Sequence, residues 1–166
     1  MIEKDGIPTK EQIISVFPSL ERINKGPVAV IECYQEIPCN PCATSCRFEA
    51  IHIGENINKR PDVTSENCTG CLVCLTKCPG LAISIVDGSK SKDYIHYTIP
   101  YEMVPLPEVG EKVAGLDREG AFLAWVKVIK VRNPKSYDRT PLITLEVPRD
   151  ILYDFKCIRR SQDVKR

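Results

Sequence analysis

The chain has 166 residues, 43% of them hydrophobic and 27% charged, and a formal net charge of +1. That composition builds a packed core rather than a disordered chain, and it excludes a strong electrostatic pull toward nucleic acid or anionic lipid. No apolar run reaches bilayer-spanning length, and the charged start Met1-Ile2-Glu3-Lys4-Asp5-Gly6 lacks an apolar secretion core, so a cytoplasmic protein without membrane insertion is expected. Nine cysteines in a reducing compartment point to metal or cluster binding before disulfides.

Two compositions share the chain. Residues 27–88 carry four Lys/Arg against seven Asp/Glu, and residues 101–166 carry thirteen against ten. Eight of the nine cysteines lie in the acidic segment, and Cys157 alone lies in the basic one. Between them Gly88-Ser89-Lys90-Ser91-Lys92-Asp93 reads as a turn or linker. The expected organisation is an N-terminal extension with a short helix over 1–26, a cysteine-rich unit over 27–88, a linker over 89–101 and a β module with a C-terminal helix over 102–166.

In chain order, Thr9 is positioned to cap a short helix carrying Ile13, Ile14 and Phe17, which Pro18 ends. Val28-Ala29-Val30-Ile31 reads as a strand entering the cysteines, and 49–53 and 81–86 are brief β-like stretches. Further on, 111–116 and 121–132 flank the hairpin turn Asp117-Arg118-Glu119-Gly120. Strict alternation along the longer strand puts Phe122, Ala124, Val126 and Val128 on one face. Leu123, Trp125, Ile129 and Val131 fall on the other, so cover on both sides is expected. Leu142 to Val147 alternates with Ile143, Leu145 and Val147 inward, and Pro148-Arg149-Asp150 opens a helix carrying Ile151, Leu152 and Phe155. The class is α+β, with a small barrel-like β module at the C-terminal end.

The cysteines carry the chemistry. Cys68-Thr69-Gly70-Cys71-Leu72-Val73-Cys74-Leu75-Thr76-Lys77-Cys78-Pro79 matches the C-x2-C-x2-C-x3-C-P run of bacterial ferredoxins. A tight loop turns three thiolates toward one corner of a cube, Gly70 permits close backbone approach, and Pro79 stops a helix from running on. Upstream, Cys39, Cys42 and Cys46 supply a matching half-run. Cys46-Arg47-Phe48-Glu49-Ala50-Ile51-His52-Ile53 parallels Cys78-Pro79-Gly80-Leu81-Ala82-Ile83-Ser84-Ile85 as an internal repeat. The position that should hold the first cysteine of this half-run is Glu36, and the nearest spare thiol is Cys33. Three readings stand. Cys33 reaches the site through a longer loop, or Glu36 is an oxygen ligand, or three ligands hold a 3Fe-4S cluster. Thiolate is the better iron ligand, which favours Cys33. A zinc site made of Cys39, Cys42, Cys68 and Cys71 is an alternative, but it leaves Cys46, Cys74, Cys78 and the repeat unexplained.

Across residues 30–86 the chain therefore resembles a bacterial-type two-cluster ferredoxin domain. The resemblance implies two 4Fe-4S clusters, one held by Cys33, Cys39, Cys42 and Cys78 and the other by Cys68, Cys71, Cys74 and Cys46, the fourth cysteine of each run serving the other cluster. The departures are the stretched first loop and Arg47 in place of the usual proline. The segment Lys25 to Cys42 also resembles the small iron–sulfur subunits of FAD-dependent amino-acid dehydrogenases of the proline or hydroxyproline type. That implies a non-catalytic electron-transfer subunit in a hetero-oligomer, with FAD on a larger partner chain. A free-standing ferredoxin, and a zinc- or cluster-stabilised interaction module, are the alternatives.

The remaining residues read more plainly. Arg47 is either a tuning charge or a solvated replacement for proline, His52 and His96 lack ligand spacing, and Cys157 is a plain thiol. Lys156, Arg159, Arg160, Lys165 and Arg166 form a basic tail, solvated or in touch with an acidic neighbour. No Ser–His–Asp set, dinucleotide loop or phosphate loop is present, and no basic stripe interleaved with aromatics favours nucleic acid.

Overall fold

The computed structural model describes residues 2–160; Lys165 and Arg166 of the expected basic tail lie outside them. The chain opens with three short helices, α1 (Ile2–Asp5), α2 (Lys10–Val16) and α3 (Leu20–Lys25). Thr9 caps α2 as expected: its hydroxyl accepts from the Gln12 N–H at 3.3 Å, and the Gln12 side chain accepts from the Thr9 N–H at 2.8 Å. Ser19 caps α3 by its hydroxyl alone, which accepts from the Arg22 N–H at 3.1 Å, and Ile23 of α3 is fully buried.

Nine strands follow: β1 (Val28–Ile31), β2 (Ile51–His52), β3 (Asp62–Val63), β4 (Ile83–Asp87), β5 (Tyr94–Pro100), β6 (Lys112–Leu116), β7 (Phe122–Arg132), β8 (Leu142–Pro148) and β9 (Cys157–Arg159). Seven of them make one antiparallel sheet in the order β1-β4-β5-β8-β7-β6-β9, and β2 pairs with β3 apart from it. Helices α4 (Pro41–Thr44) and α5 (Val73–Lys77) lie in the two cysteine runs. The class is α+β, and no helix among the described residues is long and apolar enough to cross a membrane.

The segment expected as a linker is largely sheet. The turn ends at Asp93, and β5 then pairs with β4 on one side and β8 on the other, with Ile95, Tyr97 and Ile99 buried. The cysteine-bearing and basic halves therefore share one continuous sheet. The polar run Ser89–Asp93 masked an alternation that begins immediately after it.

Nor is the β module a separate small barrel of 102–166. The sheet starts in the cysteine-rich unit, and its two edge strands, β1 and β9, form no backbone pair with each other among the described residues. The edges are nevertheless brought together. Glu32, directly after β1, accepts from Arg118 Nε at 2.7 Å and from Lys156 Nζ at 3.1 Å, residues that flank β6 and β9. Arg118 also donates to the carbonyls of Tyr153 and Asp154. The sheet curls around a core of Val28, Val30, Tyr97, Val126, Val128, Leu145 and Phe155, and this ion cluster closes the seam where backbone pairing stops. The expected C-terminal helix is a single 3-10 turn, Arg149–Ile151, which delivers Leu152 and Phe155 to that core.

The expected cover on both faces of β7 is also absent. A register irregularity opposite Gly115/Leu116 breaks the alternation at Leu123. Phe122 moves to the face of Trp125, their ring centroids 5.5 Å apart, and both are more than half exposed, at 51% and 56%. A second irregularity between Val128 and Lys130 takes up Ile129.

The seam gives a stability prediction. Burial pushes the Glu32 carboxyl up, but the hydrogen bond from Arg118 and the charges of Lys156 and Arg118 outweigh it and hold the group below its ordinary 4.5. A carboxylate held low stabilises the fold fully above that value and loses its contribution as the pH falls through and below it. Arg118→Ala leaves Lys156 as the cation on a carboxylate that is only 3% exposed and should cost about 2–3 kcal/mol in denaturant unfolding. Glu32→Gln should flatten the loss of stability that sets in as the pH falls below about 4.5. An unchanged acid limb would contradict the assignment.

Candidate metal centre

Strand β1 has a continuous apolar sequence because it is buried on both faces. Val28 and Val30 point into the sheet's core, while Ala29 and Ile31 point the other way, onto the cysteine loops. There they meet Ile83 and Ile85 of β4, with Leu75, Cys42 and Cys74. The cysteines are thus carried on a second apolar core backed by the sheet.

The internal repeat is visible in the backbone. Each half runs strand, cysteine loop, short helix, fourth cysteine, strand: β1 to β2 through α4, and β3 to β4 through α5. After the fourth cysteine, Glu49 and Leu81 both adopt a positive φ of 50°. The next residue in each case donates its N–H back to the sulfur, Ala50 to Cys46 Sγ and Ala82 to Cys78 Sγ, both at 3.4 Å. Helices α4 and α5 pack together, so the two halves interlock. In the second loop Gly70 (φ 65°) and Leu72 (φ 73°) make the tight turns between thiols.

The electrostatics sort the eight thiols into two groups that cross the runs. Burial pushes the Cys33 thiol above its ordinary 9.0, and the thiols of Cys78 and Cys39 push it further. Cys42 is raised by burial, against the Ala43 N–H, with Cys78 and Cys39 again its thiol neighbours. Cys74 is pushed up to about 12, by burial first and then by Cys68, Cys71 and Cys46, with Cys42 last. Cys33, Cys39, Cys42 and Cys78 therefore share one neighbourhood, and Cys46, Cys68, Cys71 and Cys74 share another. The raised thiols would have to lose protons to ligate, so a metal or cluster held here would bind more weakly in acid.

Glu36 does not join either group: its carboxylate pairs with Lys59 at 2.8 Å on the exposed surface. Cys157 is half-buried near Asp117, Arg118 and Lys156, apart from both sets. His52 is exposed beside β3, His96 sits opposite Glu146 in the sheet, and Arg47 is exposed. Arg160 of the basic tail is buried and paired with Glu111 at 2.8 Å.

The set of Cys46, Cys68, Cys71 and Cys74 surrounds a small apolar cavity, which Phe48, Ala50, Ile51, Thr69, Val73 and Ile85 otherwise line. Cys74 is buried at its floor and Cys71 is exposed at its mouth. Among the described residues no three His, Cys, Asp or Glu side chains gather closely enough to hold a single ion. A tetrahedral zinc site needs four sulfurs about 2.3 Å from one point. The four cysteines of the zinc alternative divide instead between the two neighbourhoods. Thiols spaced around an apolar cavity, with backbone N–H groups on their sulfurs, fit a multi-iron cluster.

Sequence reasoning missed the supports of this site. Arg22 of α3 donates to four backbone carbonyls: Ser65 at 2.8 Å, Gly26 at 3.1 Å, Pro27 at 3.3 Å and Cys68 at 2.6 Å. The N–H of Ala29 donates to Cys68 Sγ at 3.4 Å. Carbonyl acceptors leave no residue-type signature, so nothing in the sequence marks Arg22.

No family model matches the chain, and no solved structure matches it at a significant level.

Gly70 offers a direct test of loop geometry. A Cβ there would meet Pro27 Cβ at 2.4 Å, at a φ that L-residues avoid. Gly70→Ala should lower stability by about 1–3 kcal/mol in anaerobic denaturant unfolding. A neutral substitution would mean that the loop is not seated on Pro27.

Proposed function

We propose that the chain is an electron-transfer iron–sulfur subunit carrying two 4Fe-4S clusters in a ferredoxin-type domain. The observation that carries this reading is the crossed grouping of eight thiols, four and four, on an internally repeated backbone. Cys33, Cys39, Cys42 and Cys78 would hold one cluster, and Cys46, Cys68, Cys71 and Cys74 the other. Cys33, not Glu36, is the proposed completing ligand of the first, because Glu36 is engaged by Lys59. Such a cluster supplies one-electron chemistry with little rearrangement. The chain's own residues bind it, exclude water from its inner face and, through Cys71, bring one ligand to the surface.

The same proposal makes the chain part of a cytoplasmic hetero-oligomer with a larger FAD-containing dehydrogenase, itself contributing no catalytic residues. Support comes from the outer face of β7 and its neighbours. Phe122 and Trp125 stand exposed there, and cross-strand pairing sets Lys112, Lys127 and Arg159 around them. An aromatic pair ringed by cations suits a partner surface that is apolar and acid-flanked.

Anaerobic reconstitution should yield about eight irons and eight sulfides per chain. Cys46→Ser should damage the cluster of Cys68, Cys71 and Cys74, and Cys78→Ser that of Cys33, Cys39 and Cys42. About seven irons with a 3Fe-4S signal would remove Cys33, and zinc without iron would sink the reading. Co-purification should recover a flavin-containing chain through an interface of at least ~1,000 Å². Phe122→Ser with Trp125→Ser should release it, whereas a wild-type chain that stays monomeric and reduces unrelated proteins would be a free ferredoxin.

A further inference from the structure

The two thiol sets are not equivalent in their surroundings. Of the three N–H groups among the described residues that donate to the proposed ligand sulfurs, those of Ala29 and Ala50 serve Cys68 and Cys46, and that of Ala82 serves Cys78. The set of Cys46, Cys68, Cys71 and Cys74 thus receives two such bonds and the other set one. A hydrogen bond to a cluster sulfur favours the more negative, reduced state.

The fixed charges differ in the same sense. Arg22 lies against the Cys68 loop with its guanidinium on the Cys68 carbonyl, and all its acceptors are carbonyls. It forms no ion pair among the described residues. Glu21 and Glu66 line the same groove, but Glu21 is taken by Lys25 at 2.7 Å, and Glu66 is exposed to water that screens it. Around Cys33, Arg118 and Lys156 bind the buried Glu32 and Lys59 binds Glu36, while Arg60, whose charge reaches the Cys33 thiol, is exposed to water that screens it.

Resting on the two-cluster reading, we infer that Arg22 is a positioning residue that makes the site of Cys46, Cys68, Cys71 and Cys74 the higher-potential one, so that electrons are drawn from the Cys33 set toward the exposed Cys71. One electron taken up adds one negative charge, with no bond made or broken and no proton moved. A guanidinium held beside the ligand loop stabilises that charge, and the two N–H donors add to it. The N-terminal extension, not needed for ligation, acquires a role: α3 exists to hold this cation in place.

The test is an anaerobic dithionite titration of the reconstituted full chain, followed by electron paramagnetic resonance and by the shifted cysteine proton NMR signals. In the wild type, signals of Cys71 and Cys74 should show reduction before those of Cys39 and Cys42. Arg22→Gln should lower the higher midpoint enough to change the reduced-to-oxidised ratio about tenfold at fixed potential, which is 59 mV for one electron. The lower midpoint should stay in place, and Arg22→Lys should recover most of the shift. First reduction at the Cys39 and Cys42 signals, equal midpoints, or an Arg22→Gln shift shared by both clusters would overturn the inference. The wild-type order decides even if Arg22→Gln does not fold, and a chain that assembles no clusters fails earlier, at the two-cluster reading itself.

Discussion

Everything in this structure depends on the burial of β1 on both faces. Four residues, Val28 to Ile31, are each no more than 5% exposed, and they divide alternately between two cores. One side completes the curled sheet; the other is the floor on which the cysteine loops rest. Because side chains alternate along a strand, a one-residue slip of β1 would exchange the two cores and displace both loops. Pairing with β4 from Val28–Val86 to Ile31–Ile83 fixes the register, and the seam at Glu32 locks the strand's exit one residue before Cys33. The larger fold thus positions the cysteine loops.

This arrangement also explains why the chain is longer than its cysteine runs require. Here α3 holds the Cys68 loop from one side through Arg22, while residues flanking β6 and β9 hold the approach to Cys33 through Arg118 and Lys156. The appended segments brace the two thiol sets, α3 through the half-buried Arg22 and the C-terminal part through Arg118 and Lys156.

Legibility in the sequence follows the range of the interactions. The Thr9 cap, the Asp117–Gly120 turn, the two cysteine runs and the repeat are local patterns, and each has its counterpart in the backbone. Strand β5 is hidden in the sequence because a polar stretch leads into it and because β8, which covers its other edge, lies far along the chain. Phe122 was assigned to the wrong face because an irregularity in pairing is a property of two strands together, and alternation in one cannot show it. The choice between Cys33 and Glu36 was open in sequence, and it turns on Lys59, which lies 23 residues away. Arg22 and the Glu32 seam were invisible for the same reason: their partners are carbonyls and residues remote along the chain.

The central claim is that eight cysteines form two crossed sets, each enclosing its own cluster. Anomalous diffraction at the iron edge, from crystals grown anaerobically of the reconstituted chain, addresses it most directly. The account predicts two separate iron peaks, one bounded by Cys33, Cys39, Cys42 and Cys78 and the other by Cys46, Cys68, Cys71 and Cys74. A single peak, or a peak bounded by Cys68, Cys71, Cys74 and Cys78 of one run, would contradict it.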